Sequence, residues 1–344
     1  MTNNAQRLQS ITLMVTDRCD QSCSFCYAKY KPDSELSLAE IEDVLDQAAA
    51  MGAIWLVITG GDPYRRKDLH QILELAHQRR FATTIKTHGM HIDEDEAHWL
   101  AQHGVRRVDL SVHGDDAATH DAVTRVPGSY KRTMVAAQAL KAEKLRANMT
   151  MVVTRYNVET MPQTLDKLAE DYGVTVGFSM GRTLLGSAAP QEDQATGDAL
   201  VRARMAVLRH GPRSGCSPEG YSDPSDDDVP CQAGRRIVTV FPEGNVVPCV
   251  VYPRVLGNIR ANSLAEIWMS HEALTLRQET YANHSECGGC SAQKYCKFCP
   301  GHSYIERGDA TKATPRHCVP AFALKEAVRR TDEEFKIASL VERA

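Results

Sequence analysis

Cys19-Asp20-Gln21-Ser22-Cys23-Ser24-Phe25-Cys26 follows directly on the apolar run Ile11-Thr12-Leu13-Met14-Val15-Thr16. The run reads as a first β-strand, which puts the cysteines on the loop leaving its C-terminal end. In parallel α/β sheets and barrels, active sites gather at that end. The spacing is C-x3-C-x2-C. Three thiolates on one tight loop can hold three irons of a cubane cluster. A [4Fe-4S] cluster normally takes four cysteine ligands, so three leave one iron open. The other reading of such thiols is a zinc site, but zinc sites are usually built from two C-x2-C-like pairs, and no fourth ligand lies nearby in sequence.

Composition narrows the class. At 344 residues the chain can form one large domain and a smaller one. A net charge of -4 offers no electrostatic basis for binding nucleic acid or an anionic membrane. No apolar run is long enough to span a bilayer, and the start, Met-Thr-Asn-Asn-Ala-Gln-Arg, lacks the apolar core of a signal peptide. Eleven cysteines without a secretion signal point to metal ligation and a reducing cytoplasm rather than to disulfides.

From residue 11 to about 180, β-branched apolar runs at 11–16, 53–59, 82–87, 106–112, 148–154 and 173–178 predict strands. Helical patterns at 37–50, 66–78, 93–102, 129–144 and 159–170 fall between them. Such alternation with short links predicts parallel strands joined by right-handed crossovers. The cysteine spacing, with Phe25 before the last cysteine, resembles that of the radical S-adenosylmethionine (SAM) superfamily. The resemblance implies a partial (β/α)6 barrel whose open iron binds the amino and carboxylate groups of SAM. It implies cleavage of SAM to methionine and a 5′-deoxyadenosyl radical that abstracts hydrogen from substrate.

Further motifs resemble the same family. The second strand ends in Thr59-Gly60-Gly61-Asp62-Pro63. The glycines permit close backbone approach and the proline stiffens the exit. Relatives carry Gly-Gly-Glu-Pro there to receive the methionine amino group, so Gly60, Gly61, Asp62 and Pro63 become SAM-binding candidates. Ser111 resembles a strand-end serine that helps hold the SAM ribose or carboxylate. Arg125 resembles an arginine paired with that carboxylate, an apt two-bond fork. His88 stands where relatives often have asparagine and is read as a turn residue with no ligand role; His113 is read as local structure.

Residues 187–208 read as a helical link, and 211–230 as a polar loop holding Cys216. Cys231, Gly244 and Cys249 fit C-x12-G-x4-C, with a β-hairpin turning at Gly244. Ser263 and Glu266 form a capping-box pattern before a helix. Cys287, Cys290, Cys296, Cys299 and Cys318 complete the series. This arrangement resembles the SPASM domain, the auxiliary-cluster extension of radical SAM enzymes, with the last gap of its central pattern shortened by one residue. The resemblance implies a distal cluster on Cys287, Cys290, Cys296 and Cys318, and a proximal one on Cys231, Cys249 and Cys299 with Cys216 as a candidate fourth ligand. The implied fold class is α/β: a radical SAM core over 1–185, a helical linker over 186–210, and a loop-rich SPASM domain over 211–344 with a β-hairpin and a C-terminal helix packed over the barrel.

The function implied by the two resemblances is radical modification of a peptide or protein side chain: crosslinking, oxidation or epimerisation. Its cofactors would be SAM and three [4Fe-4S] clusters, and its electron donor a flavodoxin or ferredoxin. With strand 1 starting near residue 11, leader recognition is expected either to fall to a separate leader-binding protein or not to be needed by the substrate. The alternatives are the same chemistry on a small molecule, such as a tetrapyrrole side chain or sugar, and a non-catalytic zinc-binding module, which would be colourless when purified anaerobically.

Overall fold

A computed structural model describes residues 7–23, 25–26, 35–174, 176–180, 195, 197–209 and 221–341. Cys216, and residues 186–194, 196 and 210 of the link expected at 186–210, lie outside the described residues.

Each of the apolar runs forms a strand: β1 (Ser10–Met14), β2 (Trp55–Thr59), β3 (Ala82–Thr87), β4 (Val105–Ser111), β5 (Ala147–Val153) and β6 (Val176–Met180). They pair in chain order and all in parallel. Helices α1 (Leu38–Ala50), α2 (Leu69–Gln78), α3 (Glu94–Gln102), α4 (Ala117–Thr124), α5 (Ser129–Ala142) and α6 (Met161–Tyr172) carry the chain back between strands. In α1 the apolar stripe is plain: Ile41, Val44, Leu45 and Ala48 are buried, at the spacing of one helical face. Ser37 and Glu40 close a capping box at its start. Helix α4 is the one not anticipated. Its sequence, Ala-Ala-Thr-His-Asp-Ala-Val-Thr, carries no strong apolar stripe, and it is anchored by its N-cap, where Asp116 accepts the Thr119 N–H.

The C-terminal part continues the same sheet. Strand β7 (Ile237–Val240) pairs in parallel with β1, and β8 (Asn245–Val247) and β9 (Gly257–Asn258) follow antiparallel. The strand order is β6-β5-β4-β3-β2-β1-β7-β8-β9. The expected hairpin turns at Gly244, whose φ of 87° lies in the left-handed region. Beyond it lie α8 (Leu264–Trp268), α9 (His271–Leu276), α10 (Pro300–Arg307) and α11 (Pro315–Val341), with a long stretch of loop and short 3-10 turns over 277–299 between α9 and α10. Val238, Val246, Leu264 and Ile267 share one apolar core with the barrel residues Ile11, Leu56 and Ile85. Helix α11 packs along α7 (Gly197–Arg209), where Arg330 Nη1 lies 2.7 Å from Asp198. Among the described residues no helix is long and apolar enough to cross a membrane.

A surface contact joins the two halves. Arg260 Nε donates to Glu40 Oε1 at 2.6 Å. This bond, with the Ser37 backbone N–H, holds the Glu40 carboxyl down from 4.5 to about 2. A carboxyl depressed on folding stabilises above its unfolded value, and that contribution disappears as pH falls through the folded one. Glu40→Gln is expected to lower the urea midpoint near neutral pH. The deficit should shrink as pH drops from 4.5 to about 2, as read from unfolding curves across that range.

Candidate functional site

The cysteine loop leaves β1 at the C-terminal edge of the sheet and is tied to its neighbours by backbone bonds. Gly61 N–H donates to Thr16 O and Asp62 N–H to Arg18 O, each at 2.8 Å. On the other side Ser22 N–H donates to Thr124 O at the end of α4, at 3.1 Å. The first two bonds explain the glycines. A Cβ on Gly60 would lie 2.3 Å from Thr16 O, and one on Gly61 would lie 2.3 Å from Arg18 O. The close approach that requires glycine here is to the cysteine loop itself.

The three thiols open onto a cavity of about 220 Å³. Cys19, Cys23 and Cys26 line it together with Gly60, Gly61 and Ser111. Asp62 and Pro63 have other roles. Asp62 is fully buried, and its carboxylate accepts from Tyr64 N–H, Thr87 Oγ1 and His88 N–H, so it braces the ends of β2 and β3. Pro63 opens a short 3-10 turn behind it. Arg125 caps α4 in a left-handed conformation, φ 59°. Its charge reaches Cys23, which burial and the neighbouring Cys26 and Cys19 otherwise push far up from the ordinary thiol range.

Two histidines at this rim differ from their sequence reading. His88 is buried, lines the cavity and holds Asp20 at 2.7 Å, so it is more than a turn residue. His91 takes the other Asp20 oxygen, also at 2.7 Å. Burial opposes a charged His88, but the Asp20 and Cys19 hydrogen bonds and the Asp62 charge outweigh it and lift the ring to about 10. Met90 N lies 3.1 Å from Nδ1, and Nε2 faces Asp20 and Asp62. His113 also lines the cavity, edge-on to Phe25 with ring centroids 5.0 Å apart. Burial and nearby His120 push it down to about 3, so it is neutral. The signal for His88 was its place directly after the β3 strand end; nothing in sequence linked it to Asp20.

A second, smaller cavity of about 30 Å³ lies in the C-terminal part. Cys287, Cys290, Cys296 and Cys318 line it, packed with Phe298 and Phe322. Burial and the charges of the other thiols raise Cys287 and Cys318, and raise Cys296 to about 12. The first cavity has room for an organic ligand beside its thiols; the second does not. Cys231, Cys249 and Cys299 come from three segments packed at the base of the hairpin. Gly234 packs against Pro248, and a Cβ on Gly301 would lie 2.2 Å from Val251 O. Tyr281 feels Cys296, Cys287 and Cys231 together, which places it between the two thiol groups.

The spacing of these thiols bears on what they could hold. Sulfurs around one tetrahedral zinc ion, at ~2.3 Å each, lie ~3.8 Å apart. Among the described residues, the one group of three or more possible ligands within 4.8 Å of each other is Cys19, Asp20 and His88. Two of the cysteine sets are thus gathered around shared cavities, yet among the described residues no three sulfurs lie within 4.8 Å of one another. That pattern suits a multi-iron cluster. The raised thiols of Cys23, Cys287, Cys296 and Cys318 become ligands only when a cation compensates the charge.

Comparison with known proteins agrees. The model of the Radical SAM superfamily matches residues 13–168, and that of the SPASM iron-sulfur cluster-binding domain matches 231–291. The PqqA peptide cyclase of Xanthomonas axonopodis pv. citri is 30% identical over 82% of this chain and 79% of its own length. The chain belongs to the radical SAM superfamily and carries a SPASM domain. The AdoMet-dependent heme synthase of Methanosarcina barkeri is 24% identical over 92% of this radical SAM chain and 97% of its own. The fold is similar to that of anSMEcpe with bound AdoMet and Cp18Cys peptide, with a TM-score of 0.72 at 17% identity, covering 95% of this chain and 98% of that one. It is also similar to Streptococcus suis SuiB bound to precursor peptide SuiA, with a TM-score of 0.71 at 18% identity over 92% and 77%. As a member of this family, the enzyme uses SAM and [4Fe-4S] clusters.

Gly61→Ala should cost about 1–3 kcal/mol, because the Arg18 carbonyl it meets is backbone and cannot swing aside. Gly177→Ala meets its nearest atom at 3.8 Å and should be close to neutral. Urea unfolding of the two variants checks this contrast.

Proposed function

We propose that this enzyme modifies a peptide or protein side chain by hydrogen abstraction. The observation that carries the reading is the 30% identity to a PqqA peptide cyclase along most of both chains. Cys19, Cys23 and Cys26 would hold the cluster that binds SAM. Cys287, Cys290, Cys296 and Cys318 would hold the distal auxiliary cluster, and Cys231, Cys249 and Cys299 the proximal one, with Cys216 as its fourth ligand. The bound cofactors supply one-electron cleavage of SAM to methionine and a 5′-deoxyadenosyl radical.

The protein's part is positioning and exclusion of water. Gly60, Gly61 and Ser111 offer backbone and hydroxyl groups to SAM at the cavity wall. Asp62 serves from behind by fixing Thr87 and the His88 amide. Arg125 adds positive charge near Cys23, suited to a carboxylate. Neutral, buried His113 cannot donate a charge to the site and contributes shape. A flavodoxin- or ferredoxin-type protein would deliver electrons in the cytoplasm, and a separate leader-binding protein would present the peptide.

A second reading is favoured by the heme synthase relative, which aligns along nearly its whole length: the same chemistry on a tetrapyrrole side chain.

Anaerobic reconstitution should load about 12 irons per chain, three cubanes of four. Reduced protein should convert SAM to 5′-deoxyadenosine, and the triple variant Cys19→Ala, Cys23→Ala, Cys26→Ala should abolish this while keeping about eight irons. Zinc alone after reconstitution, or product from the triple variant, refutes the assignment. Cys216→Ala should alter the electron paramagnetic resonance of the reduced auxiliary clusters.

A further inference from the structure

The barrel wall beneath the SAM-side rim carries a charged triad that neither the cluster nor the cofactor accounts for. Lys86 of β3 and Asp109 of β4 are register partners, and both line the larger cavity. Lys86 Nζ lies 2.8 Å from Asp109 Oδ2. Arg107, two residues before Asp109, shares its face of the strand and approaches Asp109 Oδ1 through Nε at 2.7 Å. Asp109 sits two residues deeper than Ser111, about 7 Å below the rim.

Two cations therefore share one carboxylate. Their distances alone suggest a saturated network, but the geometry is not saturated. Arg107 Nε and Asp109 Oδ1 are both buried without a well-aligned hydrogen bond, despite their short separation. The angles decide here, since hydrogen bonds weaken steeply off-line. Arg107 Nη2 reaches Oδ2 only at 3.3 Å. Asp109 is 7% exposed, whereas the Lys86 side chain is 48% exposed and faces the cavity. Elsewhere at the rim charge is matched: Asp20 is held between His88 and His91. The triad leaves one uncompensated positive charge in a pocket walled mainly by Thr59, Thr150, Val152 and Phe25.

We propose that Lys86, backed by Arg107 and Asp109, is a carboxylate subsite for the substrate. The ligand chemistry is a carboxylate on a short alkyl chain. Under the reading given above, on which this inference rests, it is an acidic side chain of the peptide beside the residue attacked. A propionate of a tetrapyrrole offers the same group. Asp109 orients the lysine, and Arg107 stays beside Asp109 when Lys86 turns to the ligand.

The test uses full-length protein, anaerobically reconstituted and loaded with SAM. It is equilibrated with two pools of acetylated pentapeptides, one with a central glutamate and one with a central glutamine, and separately with a porphyrin tetrapropionate and its methyl ester. Retention on ultrafiltration is quantified by mass spectrometry. A charge-assisted bond of this kind predicts at least about tenfold preference for the glutamate pool. Lys86→Met should erase that preference and Lys86→Arg should keep it. Lys86→Met leaves Asp109 paired with Arg107, so iron content, SAM retention and urea midpoint should stay at wild-type values. If the porphyrin acid is preferred over its ester in a Lys86-dependent way and the peptides are not discriminated, the subsite stands and the peptide reading falls. No preference for acid over its neutral counterpart in either arm overturns the subsite. So does a preference that survives Lys86→Met, or loss of SAM rather than of the probes in that variant.

Discussion

The site depends on two backbone hydrogen bonds, from Gly61 to Thr16 and from Asp62 to Arg18, which fasten the cysteine loop of β1 onto the loop leaving β2. They act before any metal arrives. A loop with three thiols at C-x3-C-x2-C spacing could adopt many shapes, and ordering it costs about 1–2 kcal/mol per residue in backbone entropy. The stitch fixes the start of the loop, and the Ser22 bond to Thr124 fixes its middle. Asp62 then spreads the constraint sideways: its fully buried carboxylate holds Thr87 and His88, so the ends of β1, β2 and β3 move as one.

This division of labour explains what could be read in advance. The strands and most helices were legible because their burial is periodic. The runs at 82–87 and 106–112 became β3 and β4 within a residue at either end. Helix α4 was not legible, since what fixes it is a cap rather than a stripe. The three thiols were singled out by their spacing, and Gly60, Gly61 and Ser111 by resemblance to the family; all six line one cavity. The physical reason for the glycines was different: they make room for neighbouring backbone. The Asp62 carboxylate is buried and bonded to Thr87 and His88, links that no local pattern announces. Asp20, His88 and His91 escaped because their link crosses far-apart segments, and a single sequence shows no such pairing. Lys86 and Asp109 escaped for a related reason. In a parallel sheet, register between strands is set by crossovers, and no local pattern reveals which residues end up opposite.

The C-terminal region illustrates how a small, loop-rich segment can be made firm without a large core of its own. Tyr252, Leu276 and Ala310 form only a minor apolar cluster. The remaining order comes from sharing. Val238, Leu264 and Trp268 belong to the barrel's core, and Gly301 lets α10 press against Val251 beside Cys249. Metal clusters placed on such a frame would add cross-links between distant stretches of chain, the usual remedy where apolar burial is scarce.

The parallel pairing of β7 with β1 has a consequence for assembly during synthesis. One of β1's two neighbours, β7, follows β6 in the chain and is therefore synthesised after all the other parallel strands. Until Ile237–Val240 has emerged, β1 presents an open hydrogen-bonding edge. During synthesis the cysteine-bearing strand is therefore paired on its β2 side alone until β7 is made.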